Sequence, residues 1–404
     1  MKLLFVAGLV ASSTWAASPP PSAKRMSILL VPMDTGAEAK ALDFETSMNK
    51  SLGEFQGIQL KTTDELFGVP NDDDAEASMK RAEQGFKETK DAFEARNYDD
   101  AEKKARATIK EFGKAAASMK GCGHLCDAVA MYAASLQARG DVEEAKIQLL
   151  DLLSLAPAFE IDRKKYPQEF ISLRVQVATG RSAQLRGNVN VVTKPQGARI
   201  YLDGEFQGYA PKKLETLVVG KHVLRVERPG FKKWGSIVDV SPEDLELKPE
   251  LQATAAYKAY DTQLDRLATE ALKDKGGTTM SAISKTLGVD RALVGVLKEI
   301  NESGGSELHV GYFDMHSGKR LAYKKITFQG NEYGQIDSEL GRVVNYLLTN
   351  PDGAEKVTKG GDPLDSRHGM EDWNAEDKGG NRTAKDKNKK KGDPLDHHDG
   401  MEDW

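Results

Sequence analysis

Hydrophobic positions change period several times along the chain. Ser27-Ile28-Leu29-Leu30-Val31-Pro32-Met33 is a short apolar run and predicts a buried strand. Leu42, Met48, Leu52 and Phe55 then recur at helical spacing, Gly57-Ile58-Gln59-Leu60 alternates, and Thr63–Gly68 begins another helical turn. The order is β-α-β, half of a small domain. Asn71-Asp72-Asp73-Asp74 interrupts it as a linker or helix cap. From Ala75 to Leu155 the period is helical. One apolar stripe runs through Phe86, Ala92, Phe93, Ala101, Ala105, Ile109 and Phe112. A second runs through Ala128, Met131, Tyr132, Leu136, Ala145, Leu149, Leu150 and Leu153. Asn97-Tyr98-Asp99-Asp100-Ala101 and Gly140-Asp141-Val142-Glu143-Glu144-Ala145 are corresponding turn signals, each with an alanine small enough for antiparallel helices to approach closely.

Beyond Asn188 the period falls to two. Val189, Val191 and Thr193 alternate with polar or outward positions, and Ala198, Ile200 and Leu202 run into the hairpin signal Asp203-Gly204. Leu217–Val226 predicts a second strand pair, Pro229-Gly230 a third turn, and Trp234–Val240 closes an all-β module of about 65 residues, a size that folds alone only marginally. Residues 253–276 return to helix, with Tyr257, Tyr260, Leu264, Leu267 and Ala271 in a narrow stripe that Gly276-Gly277 ends. Met280, Ile283 and Leu287 then predict a short helix ending at Gly288, and Ala292–Leu297 a buried strand. Glu307–Asp314 and Arg320–Phe328 form a hairpin across His316-Ser317-Gly318-Lys319, and Ile336–Leu348 a final amphipathic helix. After Pro351 apolar residues become scarce and Gly, Asp, Asn and Lys dominate, a disordered composition.

Three resemblances follow. Pro195-Gln196-Gly197-Ala198, Ile200-Tyr201-Leu202-Asp203-Gly204, Gly208, Pro211, Gly220-Lys221-His222 and Gly230-Phe231 resemble the PEGA domain, with Gln196 where the family's name motif has Glu. That resemblance implies a β-sandwich of surface-layer or envelope proteins, often joined to tetratricopeptide repeats, and implies no chemistry. The paired turn-plus-alanine signals resemble tetratricopeptide hairpins. Their spacing of 44 residues exceeds the roughly 34 of a strict repeat, so a generic helical bundle stays open. Leu287-Gly288-Val289-Asp290 before a strand containing Gly295, Asp314 with Ser317-Gly318 at a hairpin, and a closing helix resemble the second half of the α/β domain at the amino terminus of TolB. Residues 26–70 supply the βαβ half that such a domain lacks. Neither half alone covers both faces of a mixed sheet. The expected fold class is therefore α+β and multidomain. A discontinuous α/β domain (26–70 and 277–350) holds inserted tetratricopeptide-like helices (75–180), a PEGA-like β-sandwich (185–252) and a connecting helix (253–276), before a disordered tail (351–404).

Charge and composition narrow the function classes. The 404 residues carry 57 basic and 62 acidic side chains, a net charge of −5, which argues against a general nucleic-acid binder. Lys2, the apolar run Leu3–Ala11, and Thr14 and Ala16 at the −3 and −1 positions read as a signal peptide cleaved after Ala16. The run is shorter than the roughly 20 residues that span a bilayer. The expected location is periplasmic, with outer-membrane association, and no membrane span is expected.

Two cysteines exclude a disulfide framework and a multi-cysteine metal protein. Cys122 and Cys126, four apart on one helix face, favour a disulfide in an oxidising compartment over free thiols or a metal site. Asp72-Asp73-Asp74 lacks the spaced ligands of a calcium loop, and Asp396-His397-His398-Asp399 lacks a packed shell. No nucleophile, metalloprotease or phosphate-loop motif is present, so the expectation is no enzyme, no cofactor and no metal.

The tail carries a duplication. Gly361-Asp362-Pro363-Leu364-Asp365 and Gly369-Met370-Glu371-Asp372-Trp373 recur, offset by 31, as Gly392-Asp393-Pro394-Leu395-Asp396 and Gly400-Met401-Glu402-Asp403-Trp404. Trp373 and Trp404 are candidate anchors, with Leu364, Leu395, Met370 and Met401 as secondary apolar contacts. The acidic neighbours select an oligomeric envelope partner with a basic-rimmed apolar pocket. The reading is a non-enzymatic envelope scaffold serving motility, secretion or polysaccharide export. The alternatives are a cell-wall or polysaccharide binder, using Tyr201, Phe206, Tyr209, Phe231 and Trp234, and a ligand-binding transport component.

Overall fold

The computed structural model describes residues 23–180, 185–273, 277–300, 304–329 and 333–351. The signal-like start and the repeated tail motif, including Asp362, Trp373, Asp393 and Trp404, lie outside the described residues.

Strand β1 (Lys24–Pro32) opens the base and is followed by α1 (Thr35–Leu52), β2 (Ile58–Leu60) and α2 (Thr63–Phe67). The apolar run predicts a strand reaching Met33. Met33 is instead half-exposed, because Asp34 already caps α1 by accepting the Ala37 N–H at 2.8 Å. Next comes a helical layer: α3 (Asp73–Glu94), α4 (Tyr98–Lys114), a 3-10 turn at Ala116–Ser118, α5 (His124–Arg139), α6 (Val142–Leu155) and α7 (Gln168–Gly180). Each helix packs on the next. Ala101 and Ala145 are fully buried, as the close approach of antiparallel helices requires. Helix α5 is buried nearly all round, which places it at the centre of the layer. Helix α7 has no stripe of its own in the sequence pattern, although Phe170 and Leu173 carry it into the same core.

The β module contains β3 (Arg186–Val191), β4 (Arg199–Leu202), β5 (Glu205–Tyr209), β6 (Lys212–Val218), β7 (Gly220–Glu227), β8 (Trp234–Val240) and β9 (Leu245–Leu247). It is a sandwich of two sheets, β6-β3-β9 and β5-β4-β7-β8, around Val189, Ile200, Leu224, Val226 and Val240. Two expectations change here. Leu217–Val226 is not a strand pair, because β6 and β7 belong to opposite sheets. Gly220, at φ 132°, turns the chain from one sheet to the other. Trp234–Val240 does not close the module either, since β9 follows and pairs in parallel with β3.

Two short helices come next, α8 (Ala255–Asp261) and α9 (Leu264–Leu272), where the apolar stripe predicts one connecting helix. The chain ends its described part with α10 (Thr278–Leu287), β10 (Arg291–Glu299), β11 (Ser306–Asp314), β12 (Lys319–Phe328) and α11 (Tyr333–Thr349). These last strands join the first ones in a single sheet ordered β12-β11-β10-β1-β2. Strand β1 pairs in parallel with β10 from Met26↔Arg291 to Pro32↔Leu297. Asp34 also accepts the Glu299 N–H at 2.9 Å, so the side chain that starts α1 ties it to the end of β10. Arg25 and Asp290 meet in a forked ion pair, 2.9 and 3.1 Å, which explains the aspartate before β10. Helices α1 and α11 cover one face of the sheet, around Phe44, Leu293, Tyr312, Val343, Val344 and Leu347, and α9 and α10 cover the other.

The β module is seated on both neighbours. Its four-stranded sheet turns Val223 into the helical core, and Ser154 of α6 donates to the Lys221 carbonyl at 2.8 Å. On the other side, the Gln196 N–H donates to Glu38 of α1 at 3.0 Å, and Arg199 pairs with Asp64 of α2 at 2.7 Å. Gly197 sits at φ 75°, and a Cβ there would lie 2.4 Å from the Glu38 carbonyl oxygen. The turn that carries the family's name motif is thus also a seat on α1.

Candidate interaction grooves

Two grooves gather the side chains of interest. The first lies in the helical layer, between α3, the α3–α4 turn, the start of α5 and the segment before α7. Its volume is about 850 Å³. Phe86, Phe93, Tyr98, Met131, Phe159 and Tyr166 supply an apolar lining. The rings brace one another: Phe93 meets Tyr98 at 5.9 Å and Tyr166 at 5.3 Å between centroids. Burial, with Asp127 and Asp162 nearby, pushes the Tyr166 hydroxyl well above its usual range, so it stays a neutral donor. Lys90, Arg96, Lys164 and Lys165 alternate around the groove with Glu94, Asp127, Glu160 and Asp162.

The cysteines stand at the edge of this groove. Cys122 and Cys126 are joined, with Cα atoms 5.4 Å apart. They do not share a helix face, because α5 begins only at His124 and Cys122 lies in the turn before it. Gly123, at φ 45°, makes that turn. His124 stacks on Phe86 at 4.3 Å and bonds Glu83 at 2.8 Å, which fixes the α5 terminus against α3. Among the described residues, no group of three or more His, Cys, Asp or Glu side chains is arranged to hold a metal ion.

The second groove lies where α1 and α11 of the base meet β5 and the β5–β6 turn. It comprises a cavity of about 680 Å³ and an adjoining one of about 890 Å³, which share Asp43, Phe206, Tyr209 and Asp337. The five aromatic residues singled out in the β module separate here. Phe231 is buried in the sandwich and Trp234 packs against the same core. Tyr201, Phe206 and Tyr209 form a surface cluster, with centroids 5.6 and 5.4 Å apart. Phe206 is 50% exposed. The Tyr209 hydroxyl and Thr46 Oγ1 are 3.1 Å apart, which ties β5 to α1. Burial and the nearby Asp337 charge raise the Asp43 carboxyl to about 6, against the opposing pull of Lys212. Lys40 lines the same cavity and donates there to the Gly304 carbonyl at 2.7 Å and to Ser306 at 3.0 Å. Asp43 and Asp337 have no signal in the sequence, since each lies on an amphipathic helix whose polar face offers many carboxylates.

Among the described residues, no helix is long and apolar enough to cross a membrane. No curated protein gives a match to this chain. Residues 186–254 match the PEGA domain, a generic module of extracellular and envelope proteins, over the same sandwich whose turns seat on α1 and α6.

Proposed function

We propose that this chain is an exported, non-enzymatic interaction protein of the bacterial cell envelope, a scaffold within a machine of motility, secretion or polysaccharide export. The observation that supports this most is the groove of the helical layer. Its volume suits a peptide segment of a few residues, its apolar lining supplies affinity, and its rim of both signs selects sequence. The PEGA module and the signal-like start agree with an exported setting. The helices serve as a tetratricopeptide-like layer, and the TolB-like base anchors it. The tail adds a second mode of contact, two copies of one motif anchored by Trp373 and Trp404 on an oligomeric partner. Two copies on one tether raise apparent affinity by roughly 10²–10⁴ where the geometry permits both to engage.

The test is affinity purification from envelope fractions with four baits: the full chain, the chain lacking residues 351–404, Trp373→Ala with Trp404→Ala, and Tyr98→Ala in the groove. The tail variants should lose one partner and the groove variant another. Equal recovery by all four baits, or mature protein beginning at Met1 and found only in the cytoplasm, would overturn the reading.

A further inference from the structure

The groove between the base and the β module has a chemistry distinct from that of the helical layer. Phe206 is half-exposed, and Tyr209 and Tyr201 pack against its ring. Asp43 and Asp337 line the same space, and among the described residues neither has a hydrogen-bond or ion-pair partner. Thr46, Ser47, Ser51, Ser338 and Asn345 continue the lining with neutral polar groups. Lys212 on one side, and Lys50 and Arg342 on the other, stand against Asp43, Asp337 and Glu54, while Lys40 and Glu299 in the same lining pair with each other.

These features select a ligand class. A strongly cationic ligand would meet the lysines and Arg342, and a strongly anionic one would meet Asp43 and Asp337. A wholly apolar ligand would leave both carboxylates desolvated and unpaired, which is costly. A pyranose ring meets every requirement: its C–H face is flat and apolar, and hydroxyl donors surround its edge. We propose that this groove binds a polysaccharide of neutral hexopyranose units, with one ring stacked on Phe206 and its hydroxyls donating to Asp43 and Asp337. The two adjoining cavities give room for several units in a row. The burial and the neighbouring Asp337 charge that raise the Asp43 carboxyl make it an acceptor that a hydroxyl donor would relieve. The site is independent of the helical groove and the tail, so it stands or falls apart from the protein-partner reading.

The experiment is isothermal titration of the full chain with cellotetraose, maltotetraose and chitotetraose, and with spermine as the cationic probe. At least one tetrasaccharide should give a saturable isotherm, and spermine should give none at the same site. Phe206→Ala and Asp43→Ala should each weaken the sugar by about tenfold or more, the loss expected for a stacked face or a charged hydrogen bond. Glu143→Gln, on an exposed face of α6, should bind as wild type. Phe206 is half-exposed, so its variant should keep the wild-type melting temperature, and Asp43→Ala provides a second readout. No binding by any of the three sugars, binding unchanged in both variants, or binding of spermine in place of sugar would overturn the proposal.

Discussion

Glu45 shows how much one buried group can impose on the fold. It is 7% exposed where α1 faces α2, and Thr63 Oγ1 donates to it at 2.5 Å. Burial raises its carboxyl to about 7, with Asp64 adding to the shift and Thr63, Arg199 and Asn49 opposing it. The folded carboxyl therefore holds its proton more tightly than the unfolded one. That contribution to stability is fully present below the unfolded value near 4.5 and is lost as pH rises through about 7. Asp43 acts in the same sense, with its carboxyl raised to about 6. The melting temperature should fall between pH 5 and pH 8, and Glu45→Gln should remove most of that slope, a difference of about 3 kcal/mol. A slope unchanged in Glu45→Gln would show that other groups carry it. Gly197 makes the second residue-scale prediction. Alanine there must adopt a left-handed conformation and displace the Glu38 carbonyl. Gly197→Ala should cost about 2 kcal/mol or more, read from the denaturant midpoint. The glycine is legible in the sequence as a turn residue. Its seat on α1 at Glu38, far earlier in the chain, is not.

At the scale of elements, the Cys122–Cys126 link closes a very short loop ahead of α5. On the chain-entropy argument such a loop is worth about 2 kcal/mol. The double variant Cys122→Ser with Cys126→Ser should lose about that much stability, read from the denaturant midpoint, and melt at a lower temperature, and reductant should bring the wild type to that same temperature. A variant that melts with the oxidised wild type would leave the link without a stabilising role. Most elements are readable from periodicity because burial on one face imposes a period on the sequence. The exceptions have local reasons. Helix α7 follows a charged segment that masks its period, although Phe170 and Leu173 are three apart. The break between α8 and α9 falls at Thr262-Gln263, neither of which is a helix breaker, so the apolar stripe runs across it.

Across the whole molecule, the base is held together by strands from opposite ends of the chain. Replacing residues 71–253 by a short linker should leave β1, β10 and their covering helices intact and give one cooperative thermal transition. Extending the excision to residue 276 should not. It removes α9, whose Leu267, Ala268 and Ala271 cover Leu29, Val31, Val294 and Val296. The second product should be protease-sensitive, and equal protection of the two would refute the role given to α9.

Local sequence alone set the kind of each long element, the sandwich turns, and the need for the two α/β halves to join. Those features follow from short periods, from glycines at turns and from apolar runs too long to leave in water. Which surfaces meet was settled only by packing. Asp43, Phe206 and Asp337 line one groove although they come from the first helix, the β module and the last helix, and Phe86, Met131 and Tyr166 line another. No period records such meetings, because a groove is formed by the side chains that packing leaves uncovered, and these are known only once every other face has found its partner.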